Sequence, residues 1–299
     1  VAGSAGGTAT GGSAGQGGTA GKAGAGGNGG GGVTGGAGGS AGAGGGTPDA
    51  GADAQNTPDG AAKDTASTDA AGYQPCPSTG PCKILPFGDS ITFGVGDEPN
   101  GGYRGPLFAL AVAAQQKITF TGSMKNGPTT VSGQQFPQQN EGHSGWGIST
   151  TTPYSGGNAG IAILIPSPAF SAASGGMPNI ILLHIGTNDA NGSNTAATMT
   201  SQLDGLITKI TKAAPDALLV VAKILPVGWV ASTVKAYNQS IPGLVQKHAS
   251  QGEHVMMVDM NTDFDASKMF VSDNLHPNTA GYKFMASKWY EVIKDYLPK

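Results

Sequence analysis

Asn179-Ile180-Ile181-Leu182-Leu183-His184-Ile185-Gly186-Thr187-Asn188-Asp189 is the stretch that decides the fold. Residues 179–185 are apolar at odd and even positions alike, the pattern of a strand covered on both faces, as parallel sheets require. The run stops at Gly-Thr-Asn-Asp, whose residues favour turns. Similar runs lie on either side. Lys83 to Phe87 ends at Gly88-Asp89-Ser90, Ile118-Thr119-Phe120-Thr121 ends at Gly122, and Ala217 to Leu225 and His254 to Met260 follow. Helical patterns alternate with them. Tyr103 to Gln116 places Leu107, Leu110, Ala111 and Ala114 on one face. Further helices are predicted over Ala196–Ala214, Ser232–Ser250 and Asn278–Tyr296. The alternation predicts an α/β fold, a three-layer α/β/α sandwich around a central five-stranded parallel sheet. Ser123 to Asn140 is polar and broken by Gly127-Pro128 and Phe136-Pro137, and reads as loop. Ligands of such sheets bind beyond the carboxyl ends of the strands. Ser90 and Asn188 both fall there.

Only part of the 299-residue chain can build that fold. Residues 1–72 contain no Leu, Ile, Met, Phe, Trp, Tyr or Cys, and Gly, Ala, Ser and Thr dominate. Such a segment buries too little apolar surface to offset its conformational entropy, so a disordered linker is expected over 1–72 and one domain over 73–299. Glycine is not at every third position, which excludes collagen. As a flexible coil the linker would span roughly 45–50 Å. It holds two lysines against five aspartates, which leaves 14 basic and 14 acidic residues in the domain. A neutral domain offers no field for nucleic acid or an anionic membrane and suits an uncharged partner such as a glycan. No run of 18 apolar residues is present, so no transmembrane segment is expected. A chain starting at Val1 with a Gly/Ser/Ala tether reads as processed or trimmed, and suggests a secreted protein held at the cell surface. Cys76 and Cys82 flank Pro77-Ser78-Thr79-Gly80-Pro81 just before the first strand, and the short loop favours a disulfide over two free thiols.

Four short motifs carry chemistry: Gly88-Asp89-Ser90-Ile91, Gly142-His143-Ser144-Gly145-Trp146, Gly186-Thr187-Asn188-Asp189 and Asp273-Asn274-Leu275-His276-Pro277. A serine hydroxyl needs a base to take its proton, and histidine titrates near neutral pH. Ser90 is the candidate nucleophile and His276 its base. Asp273, three residues earlier on the same turn, can orient the ring and stabilise the imidazolium. The Ser90 and Gly142 backbone N–H groups and the Asn188 side-chain amide are candidate oxyanion donors, with Gly145 in reserve. Ser90 is followed by Ile91-Thr92, so this is not the Gly-x-Ser-x-Gly elbow of α/β-hydrolases. No metal site is expected. Two cysteines alone cannot complete a zinc site, and the aspartates from Asp49 to Asp69 lack calcium-loop spacing. No cofactor is expected.

Alone, each motif reads as a turn or cap. Their joint order resembles the SGNH hydrolases, the GDSL-type esterases. Gly101-Gly102-Tyr103-Arg104-Gly105-Pro106-Leu107, Thr121 to Pro128, Glu141 to Trp146, His184 to Asp189 and Asn278-Thr279-Ala280-Gly281-Tyr282 are similar to family 3 carbohydrate esterases, mostly acetylxylan esterases. The likeness runs from Lys83 to Leu297. It implies a flavodoxin-like sandwich, block residues Ser90, Gly142, Asn188 and His276 with Asp273 in support, and deacetylation of acetylated xylan or a related plant-wall polysaccharide. The Gly/Ser/Pro-rich stretch from Ile148 to Met177 has no counterpart in that likeness; at the cleft it would shift substrate preference.

Other residues carry two readings each. His143 either lines the cleft or packs beside Gly142. Trp146 either stacks on a sugar or packs on the domain. His184 is expected to be a satisfied core histidine, His248 and His254 surface or strand-start residues, and Arg104 a partner for an acidic side chain. Asp89 and Asp189 are expected to brace their loops through backbone hydrogen bonds. Two other function classes fit the motifs: a lipase or thioesterase on small or lipid acyl esters, and a non-catalytic surface glycan-binding protein. An intact set of catalytic elements argues against the last, and the absence of a lid-like apolar segment against a lipase.

Overall fold

The computed structural model describes residues 72–149 and 160–299. The expected linker, 1–72, lies outside them but for Gly72. In chain order the elements are β1 (Cys82–Gly88), α1 (Ser90–Phe93), α2 (Arg104–Ala113), β2 (Ile118–Phe120), β3 (Met124–Lys125), β4 (Thr130–Val131), β5 (Gln134–Gln135), β6 (Gln139–Gly142), β7 (Ile180–His184), α3 (Thr187–Asn191), α4 (Ala196–Ala213), β8 (Leu218–Lys223), α5 (Ala231–Ser250), β9 (Val255–Asp259), α6 (Ala266–Met269) and α7 (Thr279–Ile293).

The main sheet runs β3-β6-β1-β7-β8-β9, with β2 beside β1. β7 covers one edge of β1 from Ile84 to Gly88. On the other edge β2 pairs with the start of β1, Cys82↔Ile118 to Ile84↔Phe120, and β6 pairs with its end, Phe87↔Glu141 and Gly88↔Gly142. Two short strands thus share one position, and five parallel positions result. β3 adds an antiparallel edge through Met124↔Asn140, so the sheet is mixed and seven-stranded rather than purely parallel. β6 is Gln-Asn-Glu-Gly, without an apolar side chain, which is why the polar stretch read as loop. Its Asn140 and Glu141 are fully buried but bonded. Asn140 Nδ2 donates to Asn126 Oδ1 at 2.6 Å, and Glu141 accepts from the Ser123 N–H at 2.6 Å. A separate small hairpin joins β4 to β5.

Alternate residues of the strands feed two cores. Ile84, Leu182, Val220 and Val258 pack under α2 and α7, against Tyr103, Leu107, Tyr282 and Trp289. Leu85, Phe87, Leu183 and Val221 pack under α4 and α5, against Leu203, Ile207, Tyr237 and Ile241. Helices therefore cover both faces, as predicted. The described part of the unmatched stretch belongs to the second core: Ile161, Leu164, Ile165 and Phe170 are buried there beside Leu85 and Ile181. Lys209 of α4 donates to the Ala162 carbonyl at 2.6 Å. Residues 160–177 are thus a packed cover for the sheet.

The first described residues are tied to the sheet. Cys76 and Cys82 form the expected disulfide. Asn179 Nδ2 donates to the Pro75 carbonyl at 2.9 Å, and the Tyr73 ring stacks on His254 at 3.5 Å between centroids. Among the described residues no helix is long and apolar enough to cross a membrane.

Candidate active site

β1, β7 and the turn after α6 bring the site together at the carboxyl ends of the strands. Asp89 caps α1, its Oδ1 accepting from the Ile91 N–H at 2.9 Å, so the chain turns from strand to helix at Ser90. Ser90 Oγ lies 2.9 Å from His276 Nε2. His276 Nδ1 lies 2.7 Å from Asp273 Oδ2, and Asp273 Oδ1 accepts from the backbone N–H groups of Leu275 and His276, both at 2.9 Å. Burial pushes the Asp273 carboxyl up, but the His276 ring and the two N–H groups outweigh it and hold the group below its ordinary range. It stays ionised at neutral pH and fixes the Nδ1–H tautomer, which leaves Nε2 free to accept the serine proton.

Asn188 opens α3 directly after β7 and is buried. Its Nδ2 donates to the Trp146 carbonyl at 2.8 Å, which uses one of the two amide hydrogens. The Ser90 and Gly145 backbone N–H groups make no hydrogen bond among the described residues. Gly142 differs. Its N–H donates to Asn140 Oδ1 at 2.9 Å, so the expected oxyanion donor is already occupied. Glycine is required at 142 for a second reason: a Cβ would run into the Phe93 backbone nitrogen, so the close approach is to α1 and not to a substrate. Gly145, with φ +79° and partial exposure, sits in the loop that Asn188 holds.

Several expectations change here. Among the described residues Arg104 has no acidic partner. It is fully buried and donates to the carbonyls of Asn126, Gln138, Phe93 and Asn100 at 2.9–3.2 Å, tying the loop after α1 to the polar stretch. His184 is in the core but neither ring nitrogen has a hydrogen-bond partner among the described residues, and burial lowers its pKa to about 4. His248 is buried, its two ring nitrogens facing Glu253 and Asp204, because α5 packs on α4 at that point. Asp89 and Asp189 brace their loops as expected; Asp189 Oδ2 accepts from the Ile148 N–H at 3.1 Å. Burial, with the nearby Asp189 charge adding to it, raises Asp89 to about 7. His143 is pinned: Nε2 lies 2.7 Å from the buried Glu141 carboxylate and the ring leans on Trp146, 4.6 Å between centroids. Sequence reading gave no role to Glu141, Asn140 or Trp229. Trp229 follows a predicted strand and a glycine, which was the available signal. Among the described residues no cluster of three or more potential ligands is placed to hold a metal.

A family model described as the GDSL-like Lipase/Acylhydrolase family matches residues 87–284. A family 3 carbohydrate esterase from Clostridium thermocellum is 33% identical, with a TM-score of 0.60, over 72% of this chain and 96% of that one. One from Talaromyces cellulolyticus is 27% identical, with a TM-score of 0.56, over 72% and 99%. A multidomain esterase of Ruminococcus flavefaciens is 30% identical over 74% of this chain, which spans 29% of that protein's length. The family match over residues 87–284 and the shared fold agree, and the chain belongs to the GDSL-like lipase/acylhydrolase family of SGNH hydrolases.

Proposed function

We propose that this chain is a serine esterase that removes acetyl groups from a polysaccharide of the acetylated xylan type. The observation that carries the reading is the continuous relay Asp273–His276–Ser90, at 2.7 and 2.9 Å. His276 Nε2 takes the Ser90 proton as Oγ attacks the acetyl carbonyl carbon. The carbonyl oxygen becomes an oxyanion, and the Ser90 N–H, the Gly145 N–H and the remaining Asn188 amide hydrogen are the donors we assign to it, Gly145 replacing Gly142. His276 then protonates the departing sugar oxygen, which leaves acetyl-Ser90. In the second half His276 takes a proton from water, the hydroxide adds to the acyl carbon, and Ser90 leaves with the proton as acetate departs. The reaction calls on no cofactor. The polysaccharide class is supported by the likeness to family 3 carbohydrate esterases and by the neutral domain. Export, with residues 1–72 as a surface tether, belongs to the same reading.

Acetate release from acetylated xylan by residues 73–299, beside Ser90→Ala, tests it. Release by the wild type alone supports the reading, and Asp273→Asn should retain more activity than Ser90→Ala. Serine-dependent cleavage of a small acetyl ester without release from xylan would retain the mechanism and discard the substrate. Inactivity on both would discard the enzyme.

A further inference from the structure

Trp229 is the most exposed large apolar side chain among the described residues, at 53% of its full accessibility. It sits in a short 3-10 turn, Gly228–Val230, beyond the carboxyl end of β8. That is the rim on which Ser90 follows β1 and Asn188 follows β7. Its indole Nε1 donates to Asn191 Oδ1 at 2.8 Å. Asn191 ends α3, the one-turn helix that Asn188 helps open, so the anchor of the indole is a single helical turn from the Asn188 amide. The other flank of Asn188 holds the Trp146 carbonyl. Trp146 by its backbone carbonyl and Trp229 by its indole N–H are therefore both tied to one short helix. They differ in environment: Trp146 leans on the His143 ring and is partly buried, whereas Trp229 is held by its indole N–H and is otherwise largely exposed.

An exposed aromatic ring loses solvent-ordering cost when an apolar surface covers it. Its polar atom is already satisfied, so the open part of the ring suits an apolar, flat partner. Gly228 beside it is exposed and adds no side chain to obstruct that face. No charged side chain is bonded to the indole, which excludes an ionic anchor among the described contacts. A pyranose ring, apolar across its C–H face and polar at its edge, meets this chemistry, and a chain of such rings can place one unit over Trp229 while another presents its acetyl group to Ser90.

We propose that Trp229, whose anchor Asn191 lies one helical turn from Asn188, is a sugar-stacking subsite that gives the site a preference for acetylated oligosaccharides over small acetyl esters. This rests on the polysaccharide reading given above. Asn191 is its positioning residue.

The test compares wild type, Trp229→Ala, Trp229→Phe and Asn191→Ala on acetylated xylo-oligosaccharides and on a small aryl acetate. Trp229→Ala should raise KM for the oligosaccharide about tenfold, the factor supplied by withdrawing roughly 55 Å² of apolar surface from water. Its kcat, and both constants on the aryl acetate, should stay as in the wild type. Trp229→Phe should recover much of the affinity, and Asn191→Ala should lose part of it. An unchanged oligosaccharide KM in Trp229→Ala overturns the subsite and leaves the esterase reading standing. Isothermal titration of unsubstituted xylohexaose into Ser90→Ala and into Ser90→Ala/Trp229→Ala separates the two ideas. Heat lost in the double variant supports the subsite even where wild type fails to deacetylate glycans, and equal heats, or none in either, overturn it.

Discussion

Asn188 donates one amide hydrogen to the Trp146 carbonyl at 2.8 Å, which leaves the other for the oxyanion in the mechanism proposed above. The bond fixes both the amide plane and the loop carrying Gly145, so one side chain orients two of the three proposed oxyanion donors. Asn188→Ala should lower kcat by about 10²–10³ with a smaller change in KM, since the donors act on charge that develops in the transition state. Steady-state kinetics on a small acetyl ester measures it. A kcat within twofold of wild type would remove Asn188 from the oxyanion set.

His184 predicts a pH signature of folding. Burial holds the ring neutral, with a pKa of about 4 against 6.5 for an unperturbed histidine. Unfolding takes up a proton between those values, so the contribution of the neutral ring is whole above pH 6.5 and is lost as pH falls towards 4, by about 3 kcal/mol. Asp89 runs the other way. Its folded pKa of about 7 lies above the usual 3.8, so its contribution is whole below pH 3.8 and is lost as pH rises to 7. The two slopes largely cancel between pH 4 and 6.5. His184→Leu should uncover the Asp89 slope, and its stability relative to wild type should fall by about 3 kcal/mol as pH rises through that window. Urea unfolding at several pH values reads this. A difference independent of pH would show that His184 does not titrate on unfolding.

Arg104 replaced by leucine leaves buried carbonyls without their charged donor. Phe93 and Asn100 retain Asn126 Nδ2 as a donor, and Gln138 retains the Asn126 N–H. The Asn126 carbonyl loses its donor among the described contacts. The expected destabilisation is about 3 kcal/mol, towards the lower end for a broken buried polar network. Chemical denaturation checks it, and a change below 0.5 kcal/mol, roughly the scale of a neutral surface substitution, would mean that other groups or water replace the guanidinium.

The layers, the main parallel strands and the turn joining Asp273 to His276 were legible because each rests on a local signal. Ile180–His184 is apolar throughout, and Asp273 and His276 share one turn. What escaped depended on partners distant in sequence. β6 is polar and becomes a strand only because β1 offers it an edge at Phe87 and Gly88, and because Ser123 and Asn126 satisfy its buried side chains. The status of Gly142 turned on a bond from Asn140 that no motif announces. His248 depended on α4 bringing Asp204 to α5. Trp229 followed a glycine at a strand end, but its fixed orientation needed Asn191, 38 residues earlier.

The disulfide loop joins the domain at the amino end of β1, and Ser90 stands at its other end, seven strand residues or about 23 Å away. Tyr73 and Pro75 are held there by groups that precede β7, β8 and β9: Asn179, Asp216 and His254. A pull on the polypeptide ahead of Tyr73 would thus be borne at the floor of the sheet, by a covalent loop and by side chains remote from the catalytic residues. Were the domain anchored by its amino end, as proposed above, its reactive face would point outward, and a bulky, insoluble polymer could approach the serine without meeting the point of attachment.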